Sequence, residues 1–235
     1  MQLSKNESSV YDGLRKNKIF VFRVLDICRL LKISTSKAYN LIKSLKNKKI
    51  IKTVGKRFFT FNDIDDFFIA TRIHFPSYIS FLTALNYYGF SDHISKKILL
   101  ATTKYTYDIG NFRYVTLSRK RFFGYKNIDE IVIAEKEKAI VDSLLFPKYS
   151  IGMREVVKSV EGALREINIE KLIDYAFRVN SKVVLRRLGY ILDNLNFDDK
   201  YLSKLRKGIG KGYELFDPSL PKSNNLNKKW LLRIN

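Results

Sequence analysis

Cysteine is all but missing. Cys28 stands alone in 235 residues, so no internal disulfide can form, and the chain reads as one made for a reducing compartment. Histidine is nearly as scarce: His74 and His93 share no metal-ligand spacing with each other or with Cys28, which argues against zinc, and neither a metal nor a cofactor is expected. No apolar run approaches the roughly 18 residues that a bilayer span requires, and the opening MQLSKNESSVYDGLRKNK lacks the apolar core of a signal peptide. A cytoplasmic protein without a membrane partner is the expectation. Internal repeats and low-complexity stretches are absent, which excludes a solenoid. Acids are in short supply too, at 23 Asp and Glu against 44 Lys and Arg.

That shortage leaves a formal charge of +21, an imbalance that favours polyanionic partners, nucleic acid before anionic membrane. Apolar residues at 46%, with 14% aromatic, supply a core for one large domain or two small ones. The charge is unevenly placed. Between Lys16 and Arg57 thirteen basic residues face one acid, Asp26, for +12 over 42 residues. A solvated lysine-rich face would produce such a composition by itself, but the periodicity of the same segment argues for more.

VLDICRLLK has Val24, Ile27, Leu30 and Leu31 on one side of a helix, and Ile33-Ser34 breaks it. Ser34 is a good N-cap for a second helix from Thr35 to about Lys48. Two helices joined by so short a turn predict a helix-turn-helix. In the second helix Ala38, Leu41, Ile42 and Leu45 form one buried stripe. The opposite face carries Ser36, Asn40, Lys43, Ser44 and Asn47, flanked by Lys37 and Tyr39, and holds no acid. Asn pairs bidentately with adenine, Ser and Thr reach bases or phosphates, and Lys neutralises phosphate, so this mixture suits a major groove. IIKTV and RFFTF then read as two strands around Gly55-Lys56, a hairpin that would serve as the wing. The candidate DNA contacts are therefore Thr35, Ser36, Lys37, Tyr39, Asn40, Lys43, Ser44 and Asn47 on the helix, with Lys52, Lys56 and Arg57 on the hairpin. Ile51, Phe59 and Phe61 are assigned to packing.

After FNDIDDFF the pattern changes, and a second, mixed α/β unit is expected from residue 70 to 235, behind a winged helix-turn-helix over 1–69. The fold class is thus α+β, with a helical C-terminal portion. Pro76 and Gly89 bracket SYISFLTALNYY as a helix with Tyr78, Phe81, Leu82, Leu85 and Tyr88 inward. KILLATT, FRYVTLS and EIVIA read as strands, and EKEKAIVDSLLF as a helix ended by Pro147. Helices follow over 154–166, 169–179 and 181–196, the last with Leu185, Leu188, Leu192 and Leu195 inward. YLSKLRK makes a short one that stops at Gly208, and WLLRI closes the chain as a strand-like piece packing back on the domain.

These landmarks, PSYISFLTALNYYGFSDHI, AEKEKAIVDSLLF, VLRRLGYILD, YELFDPSLP and WLLRIN behind a winged helix, occur in an order that resembles AbiEi-type antitoxins, the transcriptional regulators of abortive-infection systems. The chain departs from that pattern at Lys136 and Ser95, where proline is usual. The resemblance implies a repressor of its own operon whose larger domain counteracts a partner toxin of nucleotidyltransferase fold. Two copies are expected on an inverted-repeat operator in double-stranded DNA.

No enzymatic activity is expected. Gly208-Ile209-Gly210-Lys211-Gly212 mimics a phosphate loop but lacks the strand before it and the Lys-Ser/Thr opening a helix after it, so a helix cap and turn explains it better; Lys204, Arg206, Lys207 and Lys211 nearby would form a second basic patch. Asp129, Glu130, Glu135, Glu137 and Asp142 flank a strand and a helix, as carboxylates holding Mg²⁺ do in nucleases. The Glu-Lys alternation is better read as a helix start, where acids favour the dipole and pair with lysines, with Asp142, which follows Ile140-Val141, the hardest to set aside. A winged-helix-targeted nuclease and a protein–protein adaptor without DNA specificity are the rival readings.

Overall fold

The computed structural model describes residues 2–235 of a mixed α+β fold. The first unit runs α1 (Lys5–Lys16), β1 (Val21–Phe22), α2 (Val24–Leu31), α3 (Thr35–Asn47), β2 (Ile51–Val54) and β3 (Phe58–Phe61). Its strands form an antiparallel sheet in the order β1-β3-β2, with Val21 and Lys52 flanking Thr60. Strand alternation divides the hairpin. Ile51, Phe59 and Phe61 join Val10, Leu14, Ile27, Ala38, Ile42 and Leu45 in a core under the three helices, while Val54 and Phe58 pack into the core of the second unit.

Helix α1 is not among the sequence expectations. Ser4 accepts from the Glu7 N–H, and Glu7 reaches back to the Ser4 N–H at 2.6 Å, a complete capping box. The same carboxylate, almost fully buried, accepts from Ser44 Oγ of α3 at 2.5 Å and from Nζ of Lys48, the residue that ends α3, at 2.6 Å. One side chain thus starts α1 and fastens it to α3.

The second unit begins with α4 (Asp66–Ile73), capped by Asp65, so the expected boundary at 69/70 falls inside a helix. There follow β4 (Ser77–Ile79), α5 (Phe81–Tyr87), β5 (Ile98–Thr102), β6 (Tyr107–Ile109), β7 (Phe112–Thr116), β8 (Tyr125–Ile128) and β9 (Ile131–Ala134). The expected helix from residue 77 is shorter than its pattern suggested: Ser77–Ile79 is a strand, antiparallel to β5 and parallel to β9 in a sheet ordered β6-β7-β5-β4-β9-β8. Residues 77–85 are all buried, and in a segment buried on every side the apolar spacing does not distinguish strand from helix. The short strands β6 and β8, which carry little apolar alternation, were also not foreseen.

Helix α6 (Lys136–Leu145) lies at the centre of the helical layer, touching α5, α7 (Met153–Ala163), α8 (Ile169–Arg178) and α9 (Lys182–Asn194). Residues 137–144 are buried throughout, and at the helix start Glu135 and Glu137 both pair with Lys171 of α8. Lys138 and Asp142, both 0% exposed, form an i,i+4 ion pair. Lys138 Nζ also donates to the Tyr78 hydroxyl at 3.0 Å, and Tyr78 and Ser80 donate to Asp142 Oδ2 at 3.0 and 2.8 Å. Burial, reinforced by Asp142, pushes the Tyr78 hydroxyl well above its ordinary pKa, so it remains a donor.

After α10 (Asp199–Arg206) the chain closes with β10 (Glu214–Leu215), β11 (Leu226–Asn227) and β12 (Leu232–Arg233), a small sheet ordered β10-β12-β11. The tail packs back as expected: Trp230 is fully buried over Gly189 of α9 and donates Nε1–H to Asp193 at 2.9 Å. No helix among the described residues is long and apolar enough to cross a membrane.

Two outcomes follow from this packing. A Cβ on Gly189 would lie 2.0 Å from the Trp230 ring, so Gly189→Ala is expected to lower stability by about 1–3 kcal/mol through overpacking, against the roughly 1 kcal/mol gain that Ala ordinarily brings to a helix interior; the sign of the shift in urea midpoint decides. Hydrogen bonds from Lys48, then Ser44 and the Ser4 backbone, hold Glu7 down at a pKa of about 2, below the ordinary 4.5. A carboxylate depressed on folding stabilises fully above its unfolded pKa and loses that contribution as pH falls through its folded value. The stability difference between wild type and Glu7→Gln is therefore expected to be constant above about pH 5 and to shrink between pH 4.5 and 2. Urea midpoints of both proteins across that window check it, and a gap that widens on acidification refutes it.

Candidate nucleic-acid interface

Helix α3 starts where its cap predicts, with the Lys37 N–H donating to Ser34 Oγ at 3.4 Å. Ala38, Ile42 and Leu45 are buried and anchor it. Leu41 departs from the expected stripe: it is half-buried on the flank facing α1. What remains outward is a ridge of Thr35, Ser36, Lys37, Tyr39, Asn40, Lys43, Lys46 and Asn47, all exposed.

Grooves run along both sides of this ridge. The one toward the hairpin, of ≈ 360 Å³, is lined by Tyr39, Lys43, Lys46 and Asn47 from α3 with Thr53 and Lys56 opposite. The other, of ≈ 480 Å³, lies toward α1, where Lys37 and Asn40 face Asn6 and Ser9. The predicted residues therefore divide. Tyr39, Lys43, Asn47 and Lys56 are brought together on one side, while Lys37 and Asn40 lie on the other. Arg57 is exposed beside Lys56 in the hairpin turn. Lys46 was missed as a site residue although it stands three positions after Lys43, on the same helix face.

Two candidates are removed from this surface. Ser44 is spent on Glu7; the signal that would have shown it is Ser4-x-x-Glu7, the sequence form of a capping box. Lys52 pairs with Asp66 of α4 at 2.8 Å. It sits one residue from Thr53, and the twofold alternation of a strand turns it to the far side of the hairpin, toward the second unit.

The hairpin tip is not free either. Gly55, with φ +60°, meets the β6–β7 turn so closely that a Cβ there would lie 2.7 Å from Ile109 Cγ2, and a Cβ on Gly110 would lie 3.2 Å from the Gly55 nitrogen. Only glycine fits both the backbone conformation and the approach.

Elsewhere the charged motifs have structural occupations. In the second basic patch Lys204 pairs with Asp174 at 2.8 Å and Arg206 with Asp199 at 2.7 Å. The Gly-Ile-Gly-Lys-Gly loop turns its carbonyls inward: Ile209 and Lys211 both accept from the buried Arg186 guanidinium, at 2.7 and 2.9 Å. A phosphate cradle requires converging N–H groups instead. Of the five carboxylates weighed as a metal centre, Asp142 is committed to Lys138, Tyr78 and Ser80, and Glu137 accepts from the Asn168 N–H at 3.0 Å. Glu135 accepts from Tyr175, and Asp129 and Glu130 are exposed in the β8–β9 turn. Among the described residues no group of three or more His, Cys, Asp or Glu side chains is arranged to hold a metal.

No protein-family model and no curated protein matches the sequence. The fold is similar to that of the RV2827C protein from Mycobacterium tuberculosis, whose crystal structure superimposes with a TM-score of 0.70 over 98% of this chain and 92% of that one at 13% sequence identity, a level at which the likeness speaks of architecture alone.

Proposed function

We propose that the first unit is a winged helix-turn-helix that binds double-stranded DNA, with α3 in the major groove and the β2–β3 hairpin as a wing beside the phosphate backbone. The element order α1, β1, α2, α3, β2, β3 with a β1-β3-β2 sheet supports this reading. The observation that carries it is the exposed ridge of α3: an acid-free row of amides, hydroxyls and ammonium groups, with Lys43 and Lys46 facing Lys56 across a groove. Cations so placed neutralise phosphates on either side of a groove floor, while Asn40 and Ser36 offer hydrogen bonds to base edges.

In this reading the protein is a repressor rather than an enzyme, with two copies on an inverted repeat. The resemblance to AbiEi-type antitoxins supports assigning it to its own operon, and its larger unit to counteracting a toxin of nucleotidyltransferase fold. Co-expression with the product of the adjacent gene, read as restored growth, tests that second half.

The first half is tested by affinity against salt. Replacing Lys43, Lys46 and Lys56 together by Ala is expected to make the log–log salt slope shallower by about 3 units, each neutralised phosphate contributing roughly 0.9; an unchanged slope removes these residues from the interface. Asn40→Ala is expected to cost about 1–3 kcal/mol on the preferred site and to relax one base position, whereas equal weakening on all sequences denies it a base-reading role.

A further inference from the structure

A second surface feature lies on the larger unit. Between the loop preceding β5, the start of β7 and the segment joining α6 to α7 there is an open cleft of ≈ 450 Å³. Its floor is apolar, made by Leu82, Leu99 and Tyr149. Two aliphatic side chains stand at its mouth, Ile94 at 82% exposure and Ile151 at 57%. Four cations, Lys96, Lys97, Arg113 and Lys148, complete the lining.

Neither aliphatic is exposed through looseness. The loop carrying Ile94 is pinned at one end by Ser91 donating to Glu155 at 2.5 Å, and at the other by Lys97 donating to Asp108 at 2.7 Å. Ile151 holds φ +59° and ψ +28°, a left-handed conformation that is an outlier for a β-branched residue. Strain of this kind persists where the surroundings impose it, and it concentrates at binding sites. Gly152, which follows, has φ +89° and abuts Asp217, so the tail fixes the turn that presents Ile151.

The charges are as selective as the aliphatics. Hydrogen bonds from Arg113 first, outweighing burial, and then from Lys97 hold Asp108 well below the ordinary carboxylate range. That single acid leaves Lys96 and Lys148 without a carboxylate partner among the described residues. Lys148 lies 4.9 Å over the Tyr149 ring, which keeps its ammonium at the edge of the apolar floor.

We infer that this cleft docks a short segment of a partner protein in which one or two aliphatic side chains are flanked by carboxylates. The aliphatics would seat on Leu82, Leu99 and Tyr149 beside Ile94 and Ile151, and the carboxylates would meet Lys96 and Lys148. Nucleic acid fits less well, because the exposed apolar groups are branched aliphatics rather than stacking aromatics and Asp108 already engages two of the lining cations, Lys97 and Arg113. The inference does not rest on the DNA-binding reading.

Fluorescence anisotropy with the full chain and three labelled twelve-residue peptides tests it: one alternating Leu with Asp and Glu, one with Leu replaced by Ser, one with the acids replaced by Lys. The first is expected to bind at least tenfold more tightly than either other peptide. Lys96→Glu with Lys148→Glu, and separately Ile94→Ser, should each weaken it at least tenfold. Ile151→Gly should weaken it too while raising the urea midpoint, since relief of backbone strain and loss of a contact then pull in opposite directions. The variant with Lys43, Lys46 and Lys56 replaced by Ala should bind it as wild type does. Equal binding of the Leu and Ser peptides, full affinity in the charge-reversed variant, displacement of the peptide by duplex DNA from the Lys43, Lys46 and Lys56 variant, or an Ile94-dependent dimer in sedimentation velocity would each overturn the proposal.

Discussion

The ammonium of Lys138 has no access to solvent, and the arrangement of the larger unit follows from what it needs. Burial pushes it below its ordinary pKa despite the neighbouring Asp142 carboxylate, so its charge survives only if partners surround it. Asp142 is one helical turn away, and Tyr78 comes from β4, which fixes the roll of α6 against the middle of the sheet. Desolvated pairs contribute little net stability relative to an apolar pair; what this one supplies is uniqueness, because any rotation of α6 would carry the pair away from the Tyr78 and Ser80 hydroxyls that complete its hydrogen bonding. The Phe123 ring lies 4.9 Å from the ammonium, and the Arg178 guanidinium 3.9 Å from the same ring, which extends the arrangement to α8.

A different constraint joins the two units. The β2–β3 hairpin has an apolar residue set on each face, so neither unit buries its core without it. Lys52 with Asp66 and the mutual approach of Gly55 and Gly110 hold it at two points, and Phe20 against Phe68 adds a contact between the units just before β1. The position of Lys56 and Arg57 relative to α3 is therefore set by the larger unit as much as by the smaller, which makes the spacing of the α3 groove a property of the whole chain.

The outward ridge of α3 was legible because amphipathic periodicity alone decides which residues of a surface helix face water; Ala38, Ile42 and Leu45 went inward and Asn40 and Lys43 outward. Side chains that serve packing through their charge were not legible. Lys138, Glu137, Arg186 and Arg187 read as surface residues in any pattern of hydrophobicity, yet all four are buried. Arg187 donates to the Leu144 and Phe216 carbonyls at 2.6 and 2.8 Å, and Asp217 accepts from the Met153 N–H at 2.6 Å. Together with Trp230 on Gly189, these bonds link most of the landmarks that carry the family resemblance into one interior. Such landmarks are made mostly of core and turn residues, which is why they speak for architecture more directly than for a site. The loss of Ser44 and Lys52 from the candidate surface has the same origin, since each is claimed by a carboxylate, Glu7 or Asp66, contributed by a helix outside the motif.

The distribution of acids, more than the net charge, separates the two surfaces. Across a Debye length of about 8 Å at physiological salt, a phosphate senses its local surroundings and not a total of +21. In the larger unit many cations are already answered: Lys136 by Glu166, Lys171 by Glu135 and Glu137, Lys204 by Asp174, Lys229 by Asp193. Only three of the 23 acids precede residue 62, and of these Glu7 is enclosed by Ser44 and Lys48 while Asp26 caps α2. The field over α3 is thus positive because Glu7, which borders it, is enclosed by Ser44 and Lys48, whereas the β5–β7 cleft is positive because its four cations face the single acid Asp108. A surface of the first kind suits a dense and regular polyanion. One of the second kind, with aliphatic side chains held at its mouth, suits a ligand bearing a few carboxylates among apolar groups.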